Sequence, residues 1–110
     1  MIESINEEGS ANLNTDSLFN LLANQRRRYA LSVLSKHQNP IALADLAEEV
    51  AIREEDTKIT DISPEKVKNI YMMLYHAHIP KLEDENFVEY NQDRDTVIPK
   101  FDADRLQSLL

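Results

Sequence analysis

The chain has 110 residues, of which 42% are hydrophobic, and this is enough for one domain with a modest core. Its single glycine, Gly9, excludes glycine-rich phosphate loops and dinucleotide-binding fingerprints, and the absence of cysteine excludes disulfides and thiolate metal sites. The formal charge of −8, from 12 basic and 20 acidic side chains, argues against a uniformly basic surface for nucleic acid.

The two ends of the chain differ in composition from its middle. Residues 1–14 are polar and lack a periodic apolar face, so we expect them to form a disordered arm. Neither a basic region followed by an apolar stretch nor a long apolar run is present, which predicts a cytoplasmic protein with no membrane segment. Residues 15–100 are predicted to form the domain and residues 101–110 a short C-terminal helix.

The domain is predicted to begin with two short helices that Asn24 and Gln25 separate. Thr15 or Asp16 can cap the first helix, and the second runs from residue 26 to residue 36. Pro40 ends the second helix and leaves room for a short extended segment at 41–42. A third helix follows, because apolar residues recur at helical spacing over 43–51, and a charged loop is expected over 53–62.

The start of the fourth predicted helix is the strongest local signal in the chain. Ser63 can cap the helix, Pro64 suits its first position, and Glu65 favours the positive end of the helix dipole. An apolar stripe then continues over residues 67–82, with a kink expected at Pro80. Residues 87–90 and 96–98 are rich in β-forming side chains around a polar turn, which predicts one hairpin.

This order of elements predicts a mainly α fold with a small β-hairpin, a winged helix-turn-helix. The blocks at 21–29, 43–47, 75–82 and 87–90 (LLANQRRRY, LADLA, YHAHIPKL and FVEY) resemble an uncharacterised winged-helix family common in halophilic archaea. More distantly, the layout is similar to the ArsR-type and MarR-type repressors. The resemblance covers roughly residues 17–99 and is most specific at His78-Ile79-Pro80. It implies a cytoplasmic, DNA-binding regulator that acts as a homodimer, and the acidic balance fits a high-salt cytoplasm.

In a winged helix, the helix after the turn enters the major groove of DNA, and the hairpin contacts the neighbouring DNA phosphates. On the fourth helix, Asn69 can pair with adenine and His76 can donate to guanine or to a phosphate. Lys66 and Lys68 can contact the DNA backbone, and Arg94 at the hairpin tip can enter the minor groove of the DNA. The alternative interpretation is that these side chains only form a solvated helix face.

The densest positive charge is the run of three arginines at the start of the second helix. Arg26 and Arg28 are predicted phosphate ligands, whereas Arg27 is expected to pair with a carboxylate such as Glu83 or Asp84. The fold is expected to bring the two basic regions, residues 17–40 and 63–82, to one groove. The acidic segments 41–62 and 83–110 are then expected to face away from it.

A rival hypothesis is a winged helix that binds another protein chain and not DNA. Met73 belongs to the predicted DNA-binding face, yet Met72 and Met73 occupy reading positions where arginine, serine or glutamine is more usual. Tyr71 also supports this hypothesis, and three apolar side chains near the C-terminus require a partner surface unless they cover the core of the domain itself. We expect them to mediate homodimerisation: Leu106, Leu109 and Leu110.

The sequence contains no catalytic signal, and we expect neither an enzyme nor a cofactor. His76 and His78 are two residues apart, so on a helix they lie on different faces and cannot chelate one metal ion. His78 falls within the apolar stripe, where it is expected to be a hydrogen-bonded core histidine.

Overall fold

The structure is a computed structural model that describes residues 15–37 and 39–101, with side chains from residue 19 onward. The predicted arm at 1–14 and the three C-terminal leucines, at 106, 109 and 110, lie outside these residues. The helices and strands follow one another in the order α1 (Thr15–Leu22), α2 (Gln25–Ser35), β1 (Ile41–Ala42), α3 (Leu43–Glu55), α4 (Pro64–Met73), α5 (Ile79–Asp84), β2 (Val88–Asn91) and β3 (Thr96–Pro99).

The predicted break between the first two helices is confirmed, and Asn24 accounts for it. Its backbone is extended, and its side-chain oxygen accepts a hydrogen bond from the backbone N–H of Arg27 at 3.0 Å. A free N–H group at the start of α2 is thereby satisfied. Because Asn24 caps α2, the chain changes direction directly after α1 instead of continuing as one helix.

Helix α3 buries the predicted apolar positions but is longer than the sequence pattern indicates. It continues to Glu55 and ends at Asp56, whose φ of 53° is left-handed. The prediction that a loop starts at Arg53 is therefore wrong. Arginine and glutamate are good helix formers, so the helix continues one turn beyond its last core residue. A short 3₁₀ turn at Ile59–Asp61 then leads towards α4.

The predicted start of α4 is confirmed, since the Ser63 side chain accepts a hydrogen bond from the backbone N–H of Lys66 at 3.1 Å. The kink expected at Pro80 takes the form of a π-helical turn over Leu74–His78, in which the N–H of Ile79 bonds to the carbonyl of Leu74. Proline has no N–H, and its ring clashes with a carbonyl in a regular α-helix. The wider turn before Pro80 accommodates both restrictions.

The hairpin is part of a three-stranded antiparallel sheet, in the order β1-β3-β2. Ile41 in β1 and Tyr90 in β2 both lie opposite Val97 in the central strand. Helix α3 packs against both α2 and α4. The molecule is thus mainly helical with a small antiparallel sheet, as predicted, and it is compatible with a helix-turn-helix formed by α3 and α4 and a wing formed by β2 and β3.

One hydrophobic core joins the helices to the sheet. Leu74, at the centre of the predicted stripe, is completely buried, and Val88 and Val97 extend the core into the wing. Eleven large side chains are almost fully buried: Leu21, Leu31, Val33, Leu34, Leu43, Leu46, Val50, Ile70, Leu74, Leu82 and Val97. Because both the helices and the hairpin contribute, the core fixes the wing relative to α4.

Candidate functional site

The face of α4 that points away from the core is open to solvent, as the sequence pattern predicts. Its polar members are Lys68, Asn69 and, in the π-helical turn that continues α4, His76, and all three are exposed. Met72 and Met73 on the same face are 41% and 46% exposed. We call these five residues the reading face.

The polar groups of the reading face have few partners within the protein. Among the residues that the structure describes, the side chains of Lys68 and Asn69 form no hydrogen bond or ion pair. The ring of His76 forms a T-shaped pair with the ring of Tyr75, with 4.9 Å between the ring centroids, and no hydrogen bond of its nitrogens is found among the described residues. An ammonium group, an amide and an imidazole are therefore available to a ligand on one helix face.

The wing presents Arg94 at its tip. The turn is closed by a hydrogen bond of 3.1 Å from the Arg94 backbone N–H to the side chain of Asn91, and the Arg94 side chain is exposed. The next residue, Asp95, accepts hydrogen bonds from the phenols of Tyr71 and Tyr90. The bond to Asp95 raises the pKa of Tyr71, and burial together with the bond to Asp95 raises that of Tyr90.

Sequence reasoning did not identify this wing contact. Tyr71 was assigned to the apolar stripe of α4, and Asp95 is one of several polar residues in a turn. The two residues are 24 positions apart, and nothing in their local sequence relates them. The order of the strands and the packing of α4 on the sheet bring them together.

The two basic regions do meet, but a glutamate lies between them. Glu54, near the end of α3, receives the Arg26 guanidinium through two bonds of 2.5 and 2.9 Å. The Lys66 ammonium lies 3.3 Å from Glu54 and 3.3 Å from Glu55. Hydrogen bonding from Arg26 lowers the pKa of Glu54 despite its burial. The expectation that segment 41–62 faces away is wrong here, because α3 extends to Glu55 and brings these carboxylates to the starts of α2 and α4.

The other two arginines of α2 bind the end of α1. Arg27 is buried and donates to the carbonyls of Leu21 at 2.9 Å and Asn20 at 2.8 Å, while exposed Arg28 donates to the carbonyl of Leu22 at 2.5 Å. The predicted pairing of Arg27 with Glu83 or Asp84 is therefore wrong. The last carbonyls of a helix lack intrahelical partners and carry its negative partial charge, and both properties attract guanidinium groups.

His78 is only 4% exposed, which confirms its assignment to the core. Its Nδ1 has no hydrogen-bond partner within the described part of the chain, so the prediction of a hydrogen-bonded histidine is wrong for this atom. Burial, followed by the nearby charges of Arg27 and Arg26, lowers the pKa of His78 to about 4, and Glu54 opposes this shift. The imidazole is therefore neutral near pH 7.

Among the residues that the structure describes, no group of three or more histidine, aspartate or glutamate side chains is placed to hold a metal ion. No helix in this part of the chain is long and apolar enough to cross a membrane.

A family model described as a domain of unknown function, DUF7344, matches residues 19–98. The chain belongs to this family. The DUF7344 match begins within α1 and ends within β3, so the reading face and the wing both lie inside it. The family description specifies neither a fold nor an activity, and the relation to winged-helix repressors stays a prediction. No curated protein and no solved structure matches the chain.

Proposed function

We propose that this DUF7344 protein is a DNA-binding transcriptional regulator of the winged-helix type, which acts as a homodimer on double-stranded DNA. The observation that supports the proposal is the reading face: unpartnered polar side chains follow one side of α4, beside a wing that carries an exposed arginine. A helix after a turn, with a hairpin beside it, is the arrangement through which winged helices bind the major groove and the adjacent backbone.

Each exposed side chain has a contact that its chemistry suits. The Asn69 amide matches adenine, and His76 can donate to guanine or to a phosphate. Met73 can pack against a thymine methyl group. Lys68 is suited to a phosphate, and Arg94 to the minor groove beside the site.

The remaining cations have a smaller part in the proposal. Arg26 and Lys66 are already paired with Glu54 and Glu55, so a phosphate would have to compete with carboxylates for them. Arg28 uses one of its five guanidinium donors on a carbonyl, and as an exposed side chain it can still contact a flanking phosphate. Phosphate contacts therefore come mainly from Lys68, with Arg28 at the flank.

The function is tested by selection from a random duplex pool, followed by titration of variants in potassium chloride. Lys68→Ala should weaken binding by a similar factor on every sequence, because phosphates carry no sequence information. Asn69→Ala should lose discrimination at one base pair, worth about 1–3 kcal/mol. Lys36→Ala is the matched control, since Lys36 caps the far end of α2 from Arg26. If no sequence is enriched and none of the three substitutions alters the residual binding, the proposal fails.

The proposed dimer is tested separately. The three C-terminal leucines motivate it, and light scattering should give twice the monomer mass for the full chain and the monomer mass for a chain truncated after Lys100. A monomeric full chain would contradict the dimer, whereas an unchanged truncated dimer would assign the interface elsewhere. Two reading helices in one dimer should then contact half-sites about 34–36 Å apart.

The second candidate function is protein binding through the same face, and the exposure of Met72 and Met73 favours it. Methionine side chains adapt to varied apolar surfaces. Salt separates the two functions, because phosphate contacts weaken steeply as salt rises and apolar contacts do not. A partner whose binding depends on both methionines and survives high salt would support this alternative.

A further inference from the structure

Three hydrogen bonds from different parts of the molecule meet at Asp95. One carboxylate oxygen accepts from Tyr90 in β2, and the other accepts from Tyr71 in α4. The backbone carbonyl of Asp95 accepts from the N–H of Leu43, the first residue of α3, at 2.9 Å. A single residue at the base of the wing turn therefore contacts the wing strand and both helices of the helix-turn-helix pair.

The backbone conformation at position 95, like the hydrogen bonds of the side chain, favours an aspartate. Its φ of 53° is left-handed, a conformation that costs most residues energy and that aspartate and asparagine tolerate best after glycine. In the described part of the chain, all three residues with positive φ are of these two types: Asp56, Asn86 and Asp95. At Asp95 an aspartate serves both requirements, because glycine would supply the conformation without the carboxylate.

We propose that Asp95 is a positioning residue, which holds the tip of the wing at a fixed place relative to the reading face of α4. The inference rests on the DNA-binding function proposed above. Arg94 directly precedes Asp95, and Tyr71 directly precedes Met72 of the reading face. The Tyr71–Asp95 bond therefore links a wing arginine to the groove-reading helix through immediate neighbours on each side.

Other contacts already hold the wing to the domain, and this defines what the Asp95 contact adds. Val88 and Val97 are buried in the core, and the rings of Tyr75 and Tyr90 meet at a steep angle with 5.8 Å between centroids. The burial of the two valines is not directional, and the pairing of β3 with β1 and the 3.2 Å bond from the Tyr90 N–H to Glu83 act on the strands and not on the turn. Hydrogen bonds to both carboxylate oxygens are directional, so they fix the angle of the turn and with it the direction of Arg94.

The geometry can be tested without DNA. The chain has no cysteine, so Met73→Cys and Arg94→Cys give two unique sites for spin labels. The distance distribution between the labels should be narrow and should broaden when Tyr71→Phe removes one donor. Tyr29→Phe is the matched control, because within the described residues the Tyr29 hydroxyl accepts a 2.9 Å bond from Gln25, which also lies in α2. Equal widths with and without Tyr71→Phe would overturn the inference.

A double-mutant cycle on the selected duplex tests the consequence for binding. Tyr71→Phe should weaken binding about three- to tenfold, and in an Arg94→Ala background it should cause no further loss. Tyr90→Phe, which removes the other donor, should give the same pattern, and melting curves establish that each variant is folded. If the loss from Tyr71→Phe persists without Arg94, Asp95 does not act through the wing arginine and the inference fails. If the wild-type chain binds no duplex, the proposed function fails first and the positioning role fails with it.

Discussion

The two basic regions of the molecule differ in how far their polar side chains are paired within the protein. At the start of α2, three consecutive arginines are all engaged within the protein, on Glu54 and on the last carbonyls of α1. On α4, Lys68 and Asn69 have no partner among the described residues. Charge density along a sequence is therefore a poor guide to ligand-binding charge. A cation that lies near a helix end, or near a carboxylate at a helix end, is paired within the protein. Lys68, on the solvent-facing side of α4, is not paired among the described residues.

This contrast requires α4 to have one face in the core and another in solvent, which gives the largest expected effect. Leu74→Ala should lower the free energy of unfolding by about 2–5 kcal/mol, because Leu74 is completely buried. Met73→Ala, one residue earlier, should cost less than about 1 kcal/mol, since Met73 is 46% exposed. Denaturant melts of both variants measure this, and equal losses would show that the two faces are assigned wrongly.

The second prediction concerns the arginines themselves. Arg27→Ala leaves two helix-end carbonyls without a buried charged donor and should cost about 2–3 kcal/mol of stability. Arg28→Ala removes one bond at an exposed site and should cost about 0.5 kcal/mol. The two variants change the same residue type at adjacent positions, so their melts form a matched pair. Similar losses would mean that the internal role of Arg27 is no greater than that of Arg28.

Features that depend on interactions between residues close in sequence could be predicted, whereas contacts between distant residues could not. The Ser63-Pro64 helix start and the buried face of α3 depend on local chemistry and helical spacing, and both were predicted. The Arg26–Glu54 pair joins residues 28 positions apart, and which carboxylate an arginine meets depends on where α3 ends. That helix end was misplaced by one turn, so the partners of both basic regions were missed.

The candidate site also has one part that could be predicted from the sequence and one part that could not. The orientation of the reading face followed from periodicity, because an apolar stripe at one side of a helix assigns the opposite side to solvent. The hydrogen bond between Tyr71 and Asp95 could not be predicted from periodicity. The position of a tyrosine in an apolar stripe does not indicate which acceptor its hydroxyl will bind. Polar contacts across long sequence separations are set by the tertiary fold and were visible only there.

Two histidines on one helix extend the comparison to pH. His78 is buried in the core within the electrostatic range of the α2 arginines, whereas His76 is on the reading face. Burial, Arg27 and Arg26 lower the pKa of His78 to about 4, from the ordinary value of 6.5 for histidine. The folded chain thus keeps this imidazole neutral at pH values where the unfolded chain protonates it. Its contribution to stability is complete above pH 6.5 and is lost as the pH falls towards 4.

Unfolding should therefore take up about one additional proton through His78 in this pH window. His78→Gln should reduce the fall in stability between about pH 6.5 and about pH 4.5. Denaturant melts of the wild-type and variant chains across the window measure both slopes. Glu54 does not confuse the comparison, because its pKa is lowered and its stabilising contribution is lost at more acidic pH, as the pH falls from the ordinary carboxylate range. An unchanged slope in the His78→Gln variant would show that the buried histidine does not take up this proton, and the contrast between the buried and exposed faces of this helix would not extend to pH.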